Sequence, residues 1–256
     1  MKKQLLLGVA LGALTTASPA LAQPPAPPPP AFSWTGFYVG INGGYSWGRG
    51  VNNYNESAFG CCSLPTNINT SHRMDGGVAG IQGGYNVQAG SWVLGLETDF
   101  DWTGQKGARS TTYNYPGGIE GGTSQLSLAV RAKLEWLGTT RARVGWLFTP
   151  TTMVYTTAGL AYGRVSVSGT VTDTFCTPSC VWSFGAGQTM VGYAVGGGFE
   201  GAIPNMPRWT WRAEYLYVNL GSINGSGFDT DFTAPYTWNE NITDNIFRVG
   251  LNLKLP

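Results

Sequence analysis

The sequence predicts an all-β chain, an eight-stranded antiparallel up-and-down barrel that crosses a membrane with strands, and three observations carry that prediction. In the segment 34–48, WTGFYVGINGGYSWG, Phe37, Val39, Ile41, Tyr45 and Trp47 alternate with Tyr38, Gly40, Asn42, Gly44 and Ser46. Period two puts successive side chains on opposite faces of a strand. Here the bulky apolar face fits lipid and the small polar face fits a narrow lumen. The second observation is composition. Only 11% of the 256 residues are charged and 38 are glycine, against about 25% charged in soluble domains. Past the N-terminal leader no apolar run is long enough for a membrane helix, so membrane crossing would need a closed barrel. The third is that connections alternate long and short along the whole chain.

The N-terminus supplies the route. Lys2 and Lys3 precede an apolar run and then Ala20-Leu21-Ala22, the pattern of a cleaved secretory signal peptide over residues 1–22. Losing Lys2 and Lys3 leaves 13 of the 15 Lys and Arg against 14 Asp and Glu, a mature net charge of −1. That balance gives no reason to expect nucleic acid. Residues 23–33, with PPAPPPP, read as a semi-rigid periplasmic polyproline spacer. The barrel occupies 34–256.

Eight strands follow, over 37–47, 76–87, 92–102, 126–147, 153–167, 190–203, 209–220 and 246–255. Most reach the 9–11 residues a membrane strand needs. The third is the clearest, with Trp92, Leu94, Leu96, Phe100 and Trp102 against Gly95, Glu97, Asp99 and Asp101. In the fourth, Leu134, Trp136, Ala142, Val144 and Trp146 oppose Lys133, Glu135, Arg141 and Arg143. The stretches 49–75, 103–125, 168–189 and 221–245 are long and polar, whereas 88–91, 148–152 and 204–208 are short. Four long external loops and three short periplasmic turns are what an outer-membrane barrel requires. Phe37, Trp92, Trp146, Trp209 and Trp211 fall toward the periplasmic strand ends and Trp47, Trp102, Trp136 and Tyr162 toward the outer ends, giving two interfacial girdles.

The inward charges are Glu97, Asp99, Asp101, Glu200 and Glu214 with Arg141, Arg143, Arg212, Arg248 and Lys254. Buried charges require partners, and an eight-stranded barrel is only wide enough for its side chains to fill. The expectation is an ion-pair network occupying the lumen, with inward glycines such as Gly40, Gly44, Gly80 and Gly84 making room. The competing reading is a charge-lined path for small solutes.

Cys61, Cys62, Cys176 and Cys180 lie in the first and third long connections. An exported protein meets an oxidising compartment, so they are candidate disulfide cysteines, with three connectivities open. His72, the single histidine, reads as an exposed polar residue. Ser71, His72 and Asp75 invite a catalytic reading that nothing in their spacing supports, and no metal-ligand or phosphate-loop spacing occurs. The expectation is no enzyme, no cofactor and no metal. Loop aromatics, among them Tyr54, Phe59, Tyr115, Trp182, Phe232 and Trp238, are candidate anchors for an extracellular ligand.

Together, the segment 34–48, WLGTTRARVG at 136–145, YTTAGLAYG at 155–163, the glycines at 196–198 and FRVGLN at 247–252 resemble the alphaproteobacterial outer-membrane immunogenic proteins, small eight-stranded surface antigens. The resemblance covers everything after the Pro-rich segment. It implies an abundant barrel of a Gram-negative outer membrane with structural and antigenic roles, to which porin-like activity is often attributed. Such barrels usually finish on an aromatic residue read by the barrel-assembly machinery, whereas this chain ends Leu255-Pro256, so the expectation is either less efficient assembly or a weaker signal that suffices. The resulting expectation is a structural surface protein with an ion-pair-filled lumen, presenting loops for envelope integrity or surface interactions. Its partners would be outer-membrane lipid, lipopolysaccharide, the assembly machinery and a loop ligand. A porin-like channel is the alternative, and a lipid-modifying enzyme a more distant one.

Overall fold

A computed structural model describes residues 32–56, 67–116, 122–175, 179–229 and 234–256. The expected signal peptide and nearly all of the expected spacer lie outside them, as do Cys61, Cys62, Cys176, Phe59 and Phe232. The described residues form nine strands: β1 (Gly36–Glu56), β2 (Asn67–Ala89), β3 (Trp92–Thr103), β4 (Lys106–Pro116), β5 (Thr123–Thr149), β6 (Thr152–Asp173), β7 (Cys180–Ile203), β8 (Met206–Asp229) and β9 (Ala234–Lys254). All pairings are antiparallel, and β1 closes on β9 from Tyr38↔Lys254 to Glu56↔Tyr236. β3 and β4 share one stave, both pairing with β5 and interrupted at Gly104-Gln105. The ring therefore has eight staves, as the period-two reading requires.

The outer wall carries a band of exposed large apolar side chains, among them Phe37, Ile41, Leu94, Leu96, Leu160, Val191, Val195 and Val249. A water-facing surface would not tolerate so continuous a patch, and hydrocarbon requires it. Aromatic contacts border the band. Trp47 lies 6.3 Å from Tyr215, and Phe100 stacks on Trp136 at 5.6 Å toward the outer end. Phe37 meets Tyr85 at 4.6 Å, and Trp92 pairs across the sheet with Trp146, toward the periplasmic end.

The strands run well beyond this band, which corrects the expectation of long polar loops. Most of the stretches expected as loops 49–75, 103–125, 168–189 and 221–245 are paired strand; β1 continues to Glu56 and β2 begins at Asn67. Above the outer girdle the polarity of the wall inverts. Leu126, Leu128, Val130, Leu134, Val165, Val167, Phe184, Leu220, Ile223 and Ile242 turn inward into one buried cluster. With water outside, the extension obeys the ordinary rule of apolar inside and polar outside.

A β-bulge on β5 between Leu134 and Trp136 accompanies this inversion. One extra residue exchanges the two faces of a strand. Leu134 is therefore buried and Lys133 exposed, the reverse of the expected assignment, while Glu135 lies half-exposed beside Arg164 at 3.5 Å. A second irregularity on β8 falls between Asn219 and Gly221. Gly221 adopts a φ of 77°, a left-handed conformation that favours glycine, and its N–H donates to Asn219 Oδ1 at 2.8 Å.

Candidate functional site: the barrel interior

Side chains on the inward face of β3, β5, β7, β8 and β9 meet at the barrel axis within the apolar band. Arg141 on β5 donates to Glu97 at 2.9 Å, to Asp99 at 2.7 Å and to Glu214 at 3.1 Å. Arg212 on β8 reaches Glu97 at 2.5 Å and Glu214 at 2.7 Å. Arg248 on β9 holds Asp99, Asp101 and Glu214, each at 2.7 Å. Arg143 donates to Glu200 at 2.7 Å and lies 3.5 Å from Glu97. All nine side chains are essentially inaccessible to solvent. β3 and β8 stand opposite one another in the ring, four staves apart either way, so the Arg212–Glu97 pair spans the barrel diameter.

Neutral groups complete the arrangement. Tyr38 donates to Glu97 at 2.6 Å and accepts from Arg143 at 3.2 Å, while Tyr155 donates to Glu214 at 3.0 Å. Thr139 serves Asp99, and Thr210 and Asn252 serve Glu200. The Arg143 guanidinium also lies 4.1 Å from the Tyr155 ring centroid, a cation–π contact. Charged hydrogen bonds of this kind make ionised groups tolerable in a dry interior. The fit depends on missing Cβ atoms: one at Gly80 would collide with Asp101 Oδ1, and one at Gly84 would lie 2.5 Å from the Tyr38 hydroxyl.

Nine of the ten inward charges read from the sequence are thus brought together. Lys254 is not among them; it sits at the periplasmic rim, where its Nζ donates to the Ser33 carbonyl and lies 5.0 Å from the Phe32 ring. Inward parity on β9 does not put it in the network because the strand ends there. Sequence reading overlooked Tyr38 and Tyr155 as partners, although inward parity places both on the lumen face. It also overlooked Trp34, which folds under the barrel. Trp34 is buried against Val93, Leu147, Met153 and Tyr155, and its indole N–H donates to the Pro150 carbonyl at 3.3 Å.

Above the girdle, the inward face carries a smaller polar group. Asp244 pairs in register with Gly48, one step outside Trp47 and Asn245. It accepts from Ser46 and from Gln105, both at 2.8 Å, and has no ion pair among the described residues. Burial pushes its carboxyl up to about 6, offset in part by Ser46, Gln105 and the Asn245 N–H. His72 is buried on the inward face of β2, correcting the exposed reading, because β2 continues through the expected loop. Its Nε2 faces Glu240 Oε1 at 3.4 Å. Burial lowers the imidazole, with Arg109 adding to the effect, and raises Glu240 to about 7, so each is biased toward its neutral form.

Ser71 and Asp75 lie on the opposite face of β2 from His72. Ser71 accepts from Arg49 at 2.9 Å and Asp75 accepts from Tyr45, so no catalytic constellation forms from the three. Among the loop aromatics, Tyr54, Tyr115 and Trp238 are buried in the upper cluster, which removes them as ligand anchors. Trp182 packs against that cluster and donates to the Tyr54 hydroxyl at 2.9 Å. Cys180 is disulfide-bonded.

Comparison with known proteins places these features in context. A family model described as an outer membrane protein beta-barrel domain matches residues 8–254. The 31 kDa outer-membrane immunogenic protein of Brucella melitensis is 37% identical, covering 99% of this chain and 100% of that protein. The 22 kDa outer membrane protein of Rhizobium leguminosarum is 30% identical, over 90% of this chain and 82% of that protein. Among solved structures, OprG of Pseudomonas aeruginosa is 10% identical with a TM-score of 0.44, covering 86% of this chain and 98% of that one.

Proposed function

This chain belongs to the outer membrane protein beta-barrel family, and from that premise we propose that it is a closed, non-conducting surface barrel of the Gram-negative outer membrane. Its work would be mechanical and presentational: it holds a rigid stave in the envelope and displays its extracellular strand extensions to the surroundings. No catalytic step is part of this reading.

The observation that carries the proposal is the pairing of Arg212 with Glu97 across the barrel, with Arg141 also on Glu97 and Arg248 sharing Glu214 with Arg212. An ion path needs groups that bind weakly enough to let a solute leave. Here each of the four lumen arginines is held by two or three carboxylates, so a solute would have to break several charged hydrogen bonds at once. The apolar cluster above and Trp34 below support the same conclusion. Single-channel recording of the refolded full-length protein in planar bilayers is the test. The expected record is flat at moderate voltage. Stable, reproducible conductance steps would replace this reading with the porin-like one.

A further inference from the structure

The chain's cations are distributed in a way the closed-barrel reading does not explain. Of the 13 Lys and Arg beyond residue 22, four arginines occupy the lumen, and Arg208 and Lys254 lie at the periplasmic end. The other seven are all exposed on β1, β2, β4, β5 and β6, just above the outer girdle. None lies at this level on β7, β8 or β9, since the sequence has no Lys or Arg between 164 and 208 or between 212 and 248. The belt is therefore one-sided.

Two clefts gather these charges. Arg49 and Arg73 converge with Ser71 on one, a polar cleft of about 500 Å³ beside Trp47, which Arg109 also lines next to His72. Lys106, Arg131 and Lys133 line the other with Ser166 and Ser168, a groove of about 550 Å³. Arg49 stands directly opposite Arg73 across the β1–β2 ladder, and Lys106 directly opposite Lys133 across β4–β5. Like charges in opposed positions destabilise a sheet. Among the described residues none of these six cations has an ion pair; only Arg164, the seventh, has one, with Glu135. Asp75, opposite Lys106 across β2–β4 and bonded by Tyr45, offsets part of this repulsion, and an anion from outside would relieve the rest.

Depth identifies that anion. Arg49 is two residues beyond Trp47, and Arg164 pairs in register with Trp136. Two residues advance about 6–7 Å along a strand, and the headgroup layer outside the hydrocarbon is about 5–8 Å thick. The cations therefore sit where the outer leaflet holds its headgroups. We propose that this one-sided belt binds the phosphate groups of lipid A, the anchor of lipopolysaccharide, one cleft for each group of three cations. The proposal depends on which way the barrel faces in the membrane and is independent of whether its lumen conducts.

The test uses the full-length protein refolded into neutral phospholipid nanodiscs, with lipid A, dephosphorylated lipid A and heparin as probes. Two triple variants, R49Q/R73Q/R109Q and K106Q/R131Q/K133Q, are compared with R208Q at the opposite end, folding being checked by circular dichroism and heat-dependent gel migration. Lipid A is expected to bind, dephosphorylated lipid A at least tenfold more weakly, and each triple variant to lose about tenfold while R208Q loses nothing. Equal binding of the two lipids, or triple variants that bind like the parent, would overturn the proposal. So would heparin displacing lipid A from the belt at lower charge concentration, which would mark the surface as one for soluble polyanions. Should a triple variant fail to fold, the single variants R73Q and K133Q carry the test, each with a smaller loss expected.

Discussion

Replacing Arg248 with methionine separates a bonded lumen from a merely crowded one. Among the described residues Arg248 is the only cation that touches Asp101, whereas Asp99 and Glu214 keep Arg141, and Glu214 also keeps Arg212. The lumen holds five carboxylates and four guanidiniums within the network, so the variant moves its balance from −1 to −2 and strands one buried carboxylate. Removing one partner of a buried pair costs about 3–5 kcal/mol, because the remaining charge is left without compensation. Neutralising the stranded group should recover most of that loss, and R248M/D101N should lie within about 1–2 kcal/mol of the parent. Urea unfolding in lipid vesicles, followed by tryptophan fluorescence, measures both. A cost for R248M below about 1 kcal/mol, or a double variant no better than the single one, would refute the argument that ion pairing holds this interior together.

Three shorter predictions follow from the same geometry. A Cβ at Gly80 would collide with Asp101 Oδ1 and the Phe100 carbonyl, so Gly80→Val should lower stability by about 1–3 kcal/mol, and Gly77→Val, where nothing lies nearby, should serve as the neutral control in the same unfolding assay. Trp34→Ala opens the buried cluster at the periplasmic mouth and should cost about 3–5 kcal/mol without producing conductance steps, since the ion-pair layer lies above it. Asp244 has its folded pKa raised from 3.8 to about 6 by burial, so the native state holds that proton more tightly than the unfolded chain. Stability should therefore fall as pH rises from about 4 through 6, and Asp244→Asn should gain on the order of 2–3 kcal/mol at pH 8 and nothing near pH 3; equal gains at both pH values would sink this account.

The staves within the membrane band were legible because lipid forces a strict alternation, visible in Trp92, Leu94 and Leu96 against Gly95, Glu97 and Asp99. The same alternation placed nine lumen charges on the inward face. Depth was not legible in that way. Lys254 shares its parity with Arg248 and Asn252, yet it lies at the rim, because period two reports which face a residue occupies and not how far along the axis it sits. Neutral partners were missed for a different reason: a tyrosine such as Tyr38 reads as ambiguous, neither clearly lipid-facing nor ionic, until its hydroxyl is seen against Glu97.

The strand extensions were misread because the rule that finds membrane strands is the inverse of the one that governs them. In QLSLAVRAKL, residues 125–134, Leu126, Leu128, Val130, Ala132 and Leu134 alternate with Gln125, Ser127, Arg131 and Lys133, a strong period-two signal. A reading that turns the apolar face toward lipid carries this pattern straight into WLGTTRARVG and assigns both halves one orientation. The chain instead inserts a residue at the bulge between Leu134 and Trp136, so the apolar face turns inward at the level where lipid ends. That single residue decides whether Lys133 is a lumen charge or part of the exposed cationic belt. A bulge at the junction of two opposite solvents is therefore how this strand keeps its apolar side away from water on the extracellular side and toward hydrocarbon below it.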